Sequence, residues 1–81
     1  MSEPFRENIA ECFVTKKGQI QKNKVTAFLI RTTLDVGVCF EGFIENDSET
    51  TLICTHSSPV ESIAKKAAFN DTLIKFHEAI K

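Results

Sequence analysis

The central part of the chain alternates apolar and polar residues with the period of two that is typical of β-strands. Three segments, residues 25–33, 36–45 and 50–55, are rich in Val, Ile, Phe and Thr. Short connections, residues 34–35 and 46–49, separate them. Because β-branched and aromatic residues between turn-forming residues indicate strands, this part of the chain predicts an antiparallel meander of three strands.

The second predicted strand carries apolar side chains on both of its faces. One face holds the larger apolar set, Val36, Val38, Phe40 and Ile44. The other face holds Cys39 and Phe43 together with Glu41 and Glu45. Because a helix layer covers one face of a sheet only, Cys39 and Phe43 predict a second surface that is partly shielded from water.

The N-terminal segment has the spacing of an amphipathic helix. Its apolar residues recur on one helical stripe: Phe5, Ile9, Cys12 and Phe13. Pro4 suits a first helical turn, and Gly18 suits the left-handed position just after a helix end. We expect a helix over residues 3–16, because residues 2–13 contain a single β-branched side chain.

A β-hairpin is the alternative for the same segment. Ile9, Glu11 and Phe13 also alternate between apolar and polar, as they would in a strand. Residues 16–18, with the sequence Lys-Lys-Gly, would then form the turn. The two interpretations differ in one testable respect, since only the hairpin requires contacts between residues 9–15 and 19–25.

A clear start signal precedes the last predicted element. Ser58 suits the N-cap, Pro59 suits the first helical position, and Glu61 stands three residues after the cap. We therefore expect a helix over residues 59–80.

This C-terminal helix would carry two apolar stripes on nearly opposite sides. One stripe comprises Val60, Ile63, Ala64, Ala67 and Ile74. The other comprises Phe69, Leu73, Phe76 and Ile80. Either the helix breaks at residues 70–72, or the second stripe contacts the N-terminal helix or another chain. We favour packing within the chain and keep the second stripe as a candidate interface.

The net charge of −1 conceals a segregation of charge along the chain. Residues 14–31 contain five basic and no acidic side chains, whereas residues 32–61 contain six acidic side chains and no Lys or Arg. Nucleic acid would be attracted by the first segment and repelled by the second. Two copies of the chain would instead attract each other through opposite segments.

Length and composition indicate one globular unit. The chain has 81 residues, of which 42% are hydrophobic and 26% charged, so we expect a single domain over residues 1–81. It has neither the start of a signal peptide nor an apolar run long enough for a membrane span. We expect an intracellular protein, cytoplasmic or nuclear, with no membrane partner.

Residues with catalytic or metal-binding chemistry are sparse. Cys12, Cys39 and Cys54 are widely spaced and form no Cys-x-x-Cys pair. Neither His56 nor His77 has a Cys, Asp or His at ligand spacing on a common face. No nucleophile stands beside a recognisable base, and the glycines are isolated. The sequence predicts a protein that is not an enzyme and has no cofactor and no metal site.

One stretch resembles a known family. Residues 53–76 are similar to the third strand and second helix of double-stranded-RNA-binding domains. The matching positions of that family's Ala-Lys-x-Ala-Ala helix are Ala64, Lys65, Ala67, Ala68 and Leu73. The resemblance implies an α+β fold of two layers, α-β-β-β-α, with a three-stranded antiparallel sheet and two helices on one face.

The departures from that family favour contacts with protein over contacts with RNA. Residues 32–37 lack the Gly-Pro-x-His loop of members that hold duplex RNA. The helix opens with Pro59, Val60, Glu61 and Ser62 in place of a lysine pair, and a carboxylate there opposes phosphate binding. The chain thus resembles degenerate members, such as the last, protein-binding domain of Dicer-partner proteins.

The resemblance implies a non-catalytic protein-interaction module that forms homodimers or docks a partner, linked to RNA-processing or RNA-silencing machinery. The candidate interface residues are Cys39, Phe43, Phe69, Leu73, Phe76 and Ile80. The alternative is a weak binder of double-stranded RNA, with candidate contacts Lys16, Lys17, Lys65 and Lys66. A third hypothesis is an unrelated small α+β regulator or inhibitor.

Overall fold

The computed structural model describes residues 5–15, 18, 22–47 and 49–80, which form four strands and one helix. The strands are β1 (Phe5–Thr15), β2 (Lys22–Leu34), β3 (Gly37–Asn46) and β4 (Glu49–Ser58), and helix α1 spans Glu61–Ala79. The strands form one antiparallel sheet in the order β1-β2-β3-β4, and α1 packs on one side of it.

The helix predicted for residues 3–16 is wrong. Residues 5–15 form an edge strand, in which Phe13 lies opposite Lys24 and Val14 lies opposite Asn23 of β2. The strand pairing required by the hairpin alternative is confirmed, whereas Lys16 and Lys17 of its turn lie outside the described residues. Gly18 has the positive φ of 86° expected for it, but it lies in the connection between two strands and does not end a helix.

A β-bulge explains why β1 has a helix-like sequence. The pairing with β2 shifts register between Asn8 and Ala10, so Ile9 is an extra residue. As a result Ile9 and Cys12, three residues apart, both pack against the core between the sheet and α1. An interval of three breaks the period of two and is typical of a helical stripe. The other two residues of the predicted stripe, Phe5 and Phe13, are exposed.

The predicted α-β-β-β-α arrangement is therefore wrong, although the chain is still α+β. The described residues contain four strands and a single C-terminal helix. Residues 53–76 do run from a strand into a helix, as the resemblance to double-stranded-RNA-binding domains requires. The chain has β1 at the position where that family has its first helix, so the element order on which the resemblance depends is not observed.

The remaining elements follow the sequence pattern more closely. The three predicted strands appear as β2, β3 and β4, and α1 begins at Glu61, two residues later than expected. Ser58 Oγ accepts a hydrogen bond from the Val60 amide at 3.1 Å, in the turn before the helix. α1 continues without a break through residues 70–72. Among the described residues, no helix has the length and apolar content that a membrane span requires.

The hydrophobic core lies between α1 and the side of the sheet that α1 covers, which we call the helix face. Its buried residues are Val25, Ala27, Leu29, Val38, Phe40, Ile44, Ala64, Ala68 and Phe76. The small side chains of Ala64 and Ala68 bring α1 close to the sheet. α1 packs mainly on β3 and β4 and touches β1 least, so the helix covers only part of this face.

α1 approaches the sheet closely at Gly42 of β3. A Cβ at this position would overlap Thr72 Oγ1 and would lie 3.0 Å from Cys54 Sγ. Thr72 is fully buried, so it has no room to move away. The absence of a side chain at Gly42 therefore sets the distance between α1 and β3.

We expect Gly42→Ala to lower the free energy of unfolding by about 1–3 kcal/mol, measured by urea denaturation, because the added methyl overpacks this contact. Adding Thr72→Ala to Gly42→Ala should recover part of the loss, since the closest remaining Thr72 atom, Cβ, lies 3.1 Å from the new methyl. Strictly additive effects of the two substitutions would contradict this account.

Candidate interaction surface

The side of the sheet opposite α1, which we call the open face, carries a row of apolar side chains. Phe28 of β2 lies directly opposite Phe43 of β3, and Phe43 lies directly opposite Leu52 of β4. These three residues, the apolar row, cross the sheet at right angles to the strands. No element formed by the described residues packs over them.

Phe28 is well shielded even though it lies on an uncovered face. Its ring stacks on Phe43 with centroids 5.2 Å apart and ring planes 14° from parallel. On its other side, the Arg6 guanidinium carbon lies 3.7 Å from the centroid of the Phe28 ring. These two neighbours leave Phe28 only 5% exposed, so this part of the apolar row is already shielded from water within a single chain.

Leu52 reaches the open face because of a second β-bulge. The pairing of β3 with β4 shifts register between Gly42 and Phe43, which leaves Ile53 as the extra residue. Leu52 therefore pairs with Phe43 on the open face, where it is 52% exposed, whereas Cys54 pairs with Gly42 on the helix face. The apolar row thus ends in a large exposed aliphatic group.

Ion pairs flank the apolar row. Arg6 contacts Glu45 at 3.6 Å, and Lys24 contacts Glu11 at 3.2 Å, with all four side chains about half exposed. Such exposed pairs contribute roughly 0–1 kcal/mol each. They give the row a polar border. An apolar centre with a polar rim is the usual pattern of a protein–protein interface.

Cys39 lies on the same open face, level with Thr32 of β2. Partial burial raises the pKa of the Cys39 thiol, and the nearby negative charge of Glu41 raises it further. The thiol therefore stays protonated at neutral pH and is a poor nucleophile. It is a small apolar group on the open face, separated from Phe43 of the row by Glu41.

The structure separates the six candidate interface residues into two sets. Cys39 and Phe43 lie on the open face, as expected from the alternation of β3. The four residues of the helical stripe, Phe69, Leu73, Phe76 and Ile80, pack against the core on the helix face. Phe76 is 4% exposed. The stripe is thus used within the chain, which was the interpretation favoured from the sequence.

The candidate RNA contacts do not form a cluster among the described residues. Lys65 makes an ion pair with Glu7 of β1 at 3.3 Å, and Lys66 lies exposed on α1. Lys16 and Lys17 lie outside the described residues. The carboxylate of Glu61 at the start of α1 accepts a hydrogen bond from Arg31 at 2.7 Å.

Sequence reasoning missed Phe28, Arg6 and Leu52 on the open face. Phe28 was detectable, because it alternates with Ala27 and Leu29 in a segment predicted to be a strand. Arg6 was hidden by the helix prediction for its segment, and Leu52 was hidden by the bulge at Ile53.

The statement that His56 has no Cys or Asp at ligand spacing is wrong. Cys54 and His56 stand two residues apart on β4, and Asp71 of α1 meets them. Cys54 lies in the predicted strand 50–55 and His56 directly follows it, so the spacing Cys-x-His was a usable signal if the strand is extended by one residue, since residues two apart in a strand share a face.

Comparisons of the chain with models of known protein families, with curated proteins and with solved structures found no match.

We expect Phe28 and Phe43 to be coupled energetically, because their rings stack. A double-mutant cycle with Phe28→Ala and Phe43→Ala, measured by urea denaturation at low protein concentration, should give a coupling free energy of about 0.5–1.5 kcal/mol. A parallel cycle with Phe28→Ala and Ile74→Ala, two residues on opposite sides of the sheet, should be additive. Equal coupling in both cycles would contradict the stacked pair.

Proposed function

We propose that the chain is a non-catalytic protein-interaction module that associates with a second copy of itself through the open face. The observation that carries the proposal is the apolar row of Phe28, Phe43 and Leu52, which crosses a face left uncovered by the described elements. Fully burying a Leu or Phe side chain stabilises by roughly 1.5–3 kcal/mol, so covering Phe43 and Leu52 in both chains favours association.

A second copy suits this face because of how its charges are arranged. The β1–β2 half of the face carries Arg6 and Lys24 together with one carboxylate, Glu11, whereas β3 carries Glu41 and Glu45. Taken together, the β1–β2 half is basic and β3 is acidic. A surface with this polarity is complementary to itself when it is turned by 180°.

A two-fold axis parallel to the strands, between β2 and β3, meets these requirements. It places β2 of one chain over β3 of the other and β1 over β4. The Phe28 ring then packs over the partner's Phe43 ring, and basic groups approach acidic ones. The two sheets would form an aligned sandwich about 10 Å apart, with one helix on each outer side.

Phe43→Lys should lower the assembly state while the monomer stays folded, because the lysine would place a charge in the centre of the dimer contact. The measurement is light scattering coupled to size-exclusion chromatography, with circular dichroism as the check of folding. The matched control is Ile74→Lys, which adds the same side chain at a 58% exposed position of α1 and should leave assembly unchanged.

Wild-type protein that stays monomeric at high micromolar concentration would overturn self-association. So would equal dissociation by Phe43→Lys and Ile74→Lys. A heterologous protein partner would then be the hypothesis left to test.

Duplex RNA should bind no better than the non-specific range of about 10⁻⁴ to 10⁻⁶ M at physiological salt. The reason is the acidic start of α1 at Glu61 together with the ion pair that engages Lys65. Fluorescence anisotropy with a labelled duplex at about 150 mM salt measures this affinity. Submicromolar binding that Lys65→Ala and Lys66→Ala abolish would instead support RNA as the partner.

A further inference from the structure

Three metal-ligating side chains meet where β4 packs against α1. Cys54 and His56 come from β4, and Asp71 comes from α1. One ligand atom from each, Sγ, an imidazole nitrogen and a carboxylate oxygen, lie within 4.8 Å of one another. His56 Nε2 and Asp71 Oδ2 are 2.7 Å apart and already form a hydrogen bond.

The β-bulge at Ile53 turns the side chains of Cys54 and His56 towards α1. Without the extra residue, Cys54 and His56 would share a face with Leu52, away from α1. With it, Cys54 pairs with Gly42 and His56 pairs with Phe40, both on the helix face. Bulges are common next to functional sites because they redirect a side chain.

We propose that Cys54, His56 and Asp71 form a binding site for a divalent transition metal ion, with Zn²⁺ as the expected occupant. A thiolate, an imidazole and a carboxylate are the donor types that Zn²⁺ takes in proteins. A site with one sulfur and one nitrogen disfavours Mg²⁺ and Ca²⁺, which prefer oxygen ligands. The thiolate and carboxylate together carry two negative charges, which balance the ion.

The present separations are close to those of a bound ion. With Zn–S of about 2.3 Å and Zn–N and Zn–O of about 2.0–2.2 Å, tetrahedral geometry needs ligand atoms roughly 3.3–3.6 Å apart. The His56–Asp71 hydrogen bond must open slightly to admit the ion, and the thiol must approach. On binding, the Cys54 thiol proton leaves to solvent and His56 coordinates as the neutral imidazole.

The Cys54 thiol has two polar neighbours on α1. It donates a hydrogen bond to the Ala68 carbonyl oxygen at 3.7 Å, and this bond is lost when the thiol proton leaves. The hydroxyl oxygen of Thr72 lies 3.5 Å from Cys54 Sγ, and Thr72 is fully buried. A buried hydroxyl beside a metal-bound sulfur can donate to it and fix its orientation. His56 and Asp71 are more exposed, with side-chain exposures of 34% and 52%, so the fourth coordination position faces solvent.

This site does not depend on the proposed dimer. It lies at the junction of β4 and α1 on the helix face, whereas the apolar row lies on the other side of the sheet. Loss of metal binding and loss of self-association are therefore separate outcomes.

The test is titration of the untagged wild-type chain with Zn²⁺ by calorimetry and with Co²⁺ by visible absorption, which reports tetrahedral coordination and sulfur ligation. We expect one ion per chain and a sulfur-to-cobalt charge-transfer band. Cys54→Ser, His56→Gln and Asp71→Asn should each weaken binding by at least about tenfold, since loss of even an outer-shell partner costs that much.

Matched controls come from the same residue types elsewhere in the chain. Cys39→Ser and His77→Gln should leave the affinity and the cobalt spectrum unchanged. Circular dichroism checks the folding of each variant. Because Cys54→Ser alters a half-buried position, the wild-type chain supplies a second measurement: Zn²⁺ should slow alkylation of Cys54 by iodoacetamide and leave the rate at Cys39 unchanged.

Binding that needs millimolar Zn²⁺, or binding that survives all three ligand substitutions, would overturn the site. Equal protection of Cys39 and Cys54 by Zn²⁺ would overturn it as well, because that result indicates non-specific thiol binding.

Discussion

The main constraint on this molecule is that one helix is too narrow to cover a four-stranded sheet. Neighbouring strands lie about 4.8 Å apart, so four strands span roughly 19 Å, whereas a helix with its side chains is about 10–12 Å wide. α1 lies over β3 and β4 and reaches β1 least. The core is therefore concentrated on one half of one face, and the chain must protect its remaining apolar groups by other means.

On the open face, that protection comes from side chains of the sheet itself. Arg6 and Phe43 enclose the Phe28 ring from two sides and keep it almost free of water. Stacking of this kind shields a ring at the centre of the sheet but cannot shield Leu52 at the end of the row, because the described part of the chain forms no strand beyond β4. The exposed Leu52 beside a shielded aromatic pair distinguishes this face from an ordinary solvated one.

Residue composition and alternation located the central strands, with β3 alternating most regularly, and the start signal at residues 58–61 located the C-terminal helix. Alternation failed where a bulge adds a residue. Ile9 gives β1 a helix-like spacing, and Ile53 changes the face on which β4 residues lie. A bulge is a property of the pairing between two strands, so one strand's sequence does not reveal it. The position of Asp71 beside His56 likewise depends on packing, since it follows from how closely α1 approaches β3 at Gly42.

The bulge at Ile53 has consequences on both sides of the sheet. It assigns Leu52 to the open face, where that side chain completes the apolar row, and it assigns Cys54 and His56 to the helix face beside Asp71. In a strand without a bulge, Leu52, Cys54 and His56 would all lie on one face. If that were the helix face, the apolar row would lose Leu52. If it were the open face, Cys54 and His56 would point away from α1. A single extra residue thus places an apolar contact surface and a cluster of metal-ligating groups back to back across one strand.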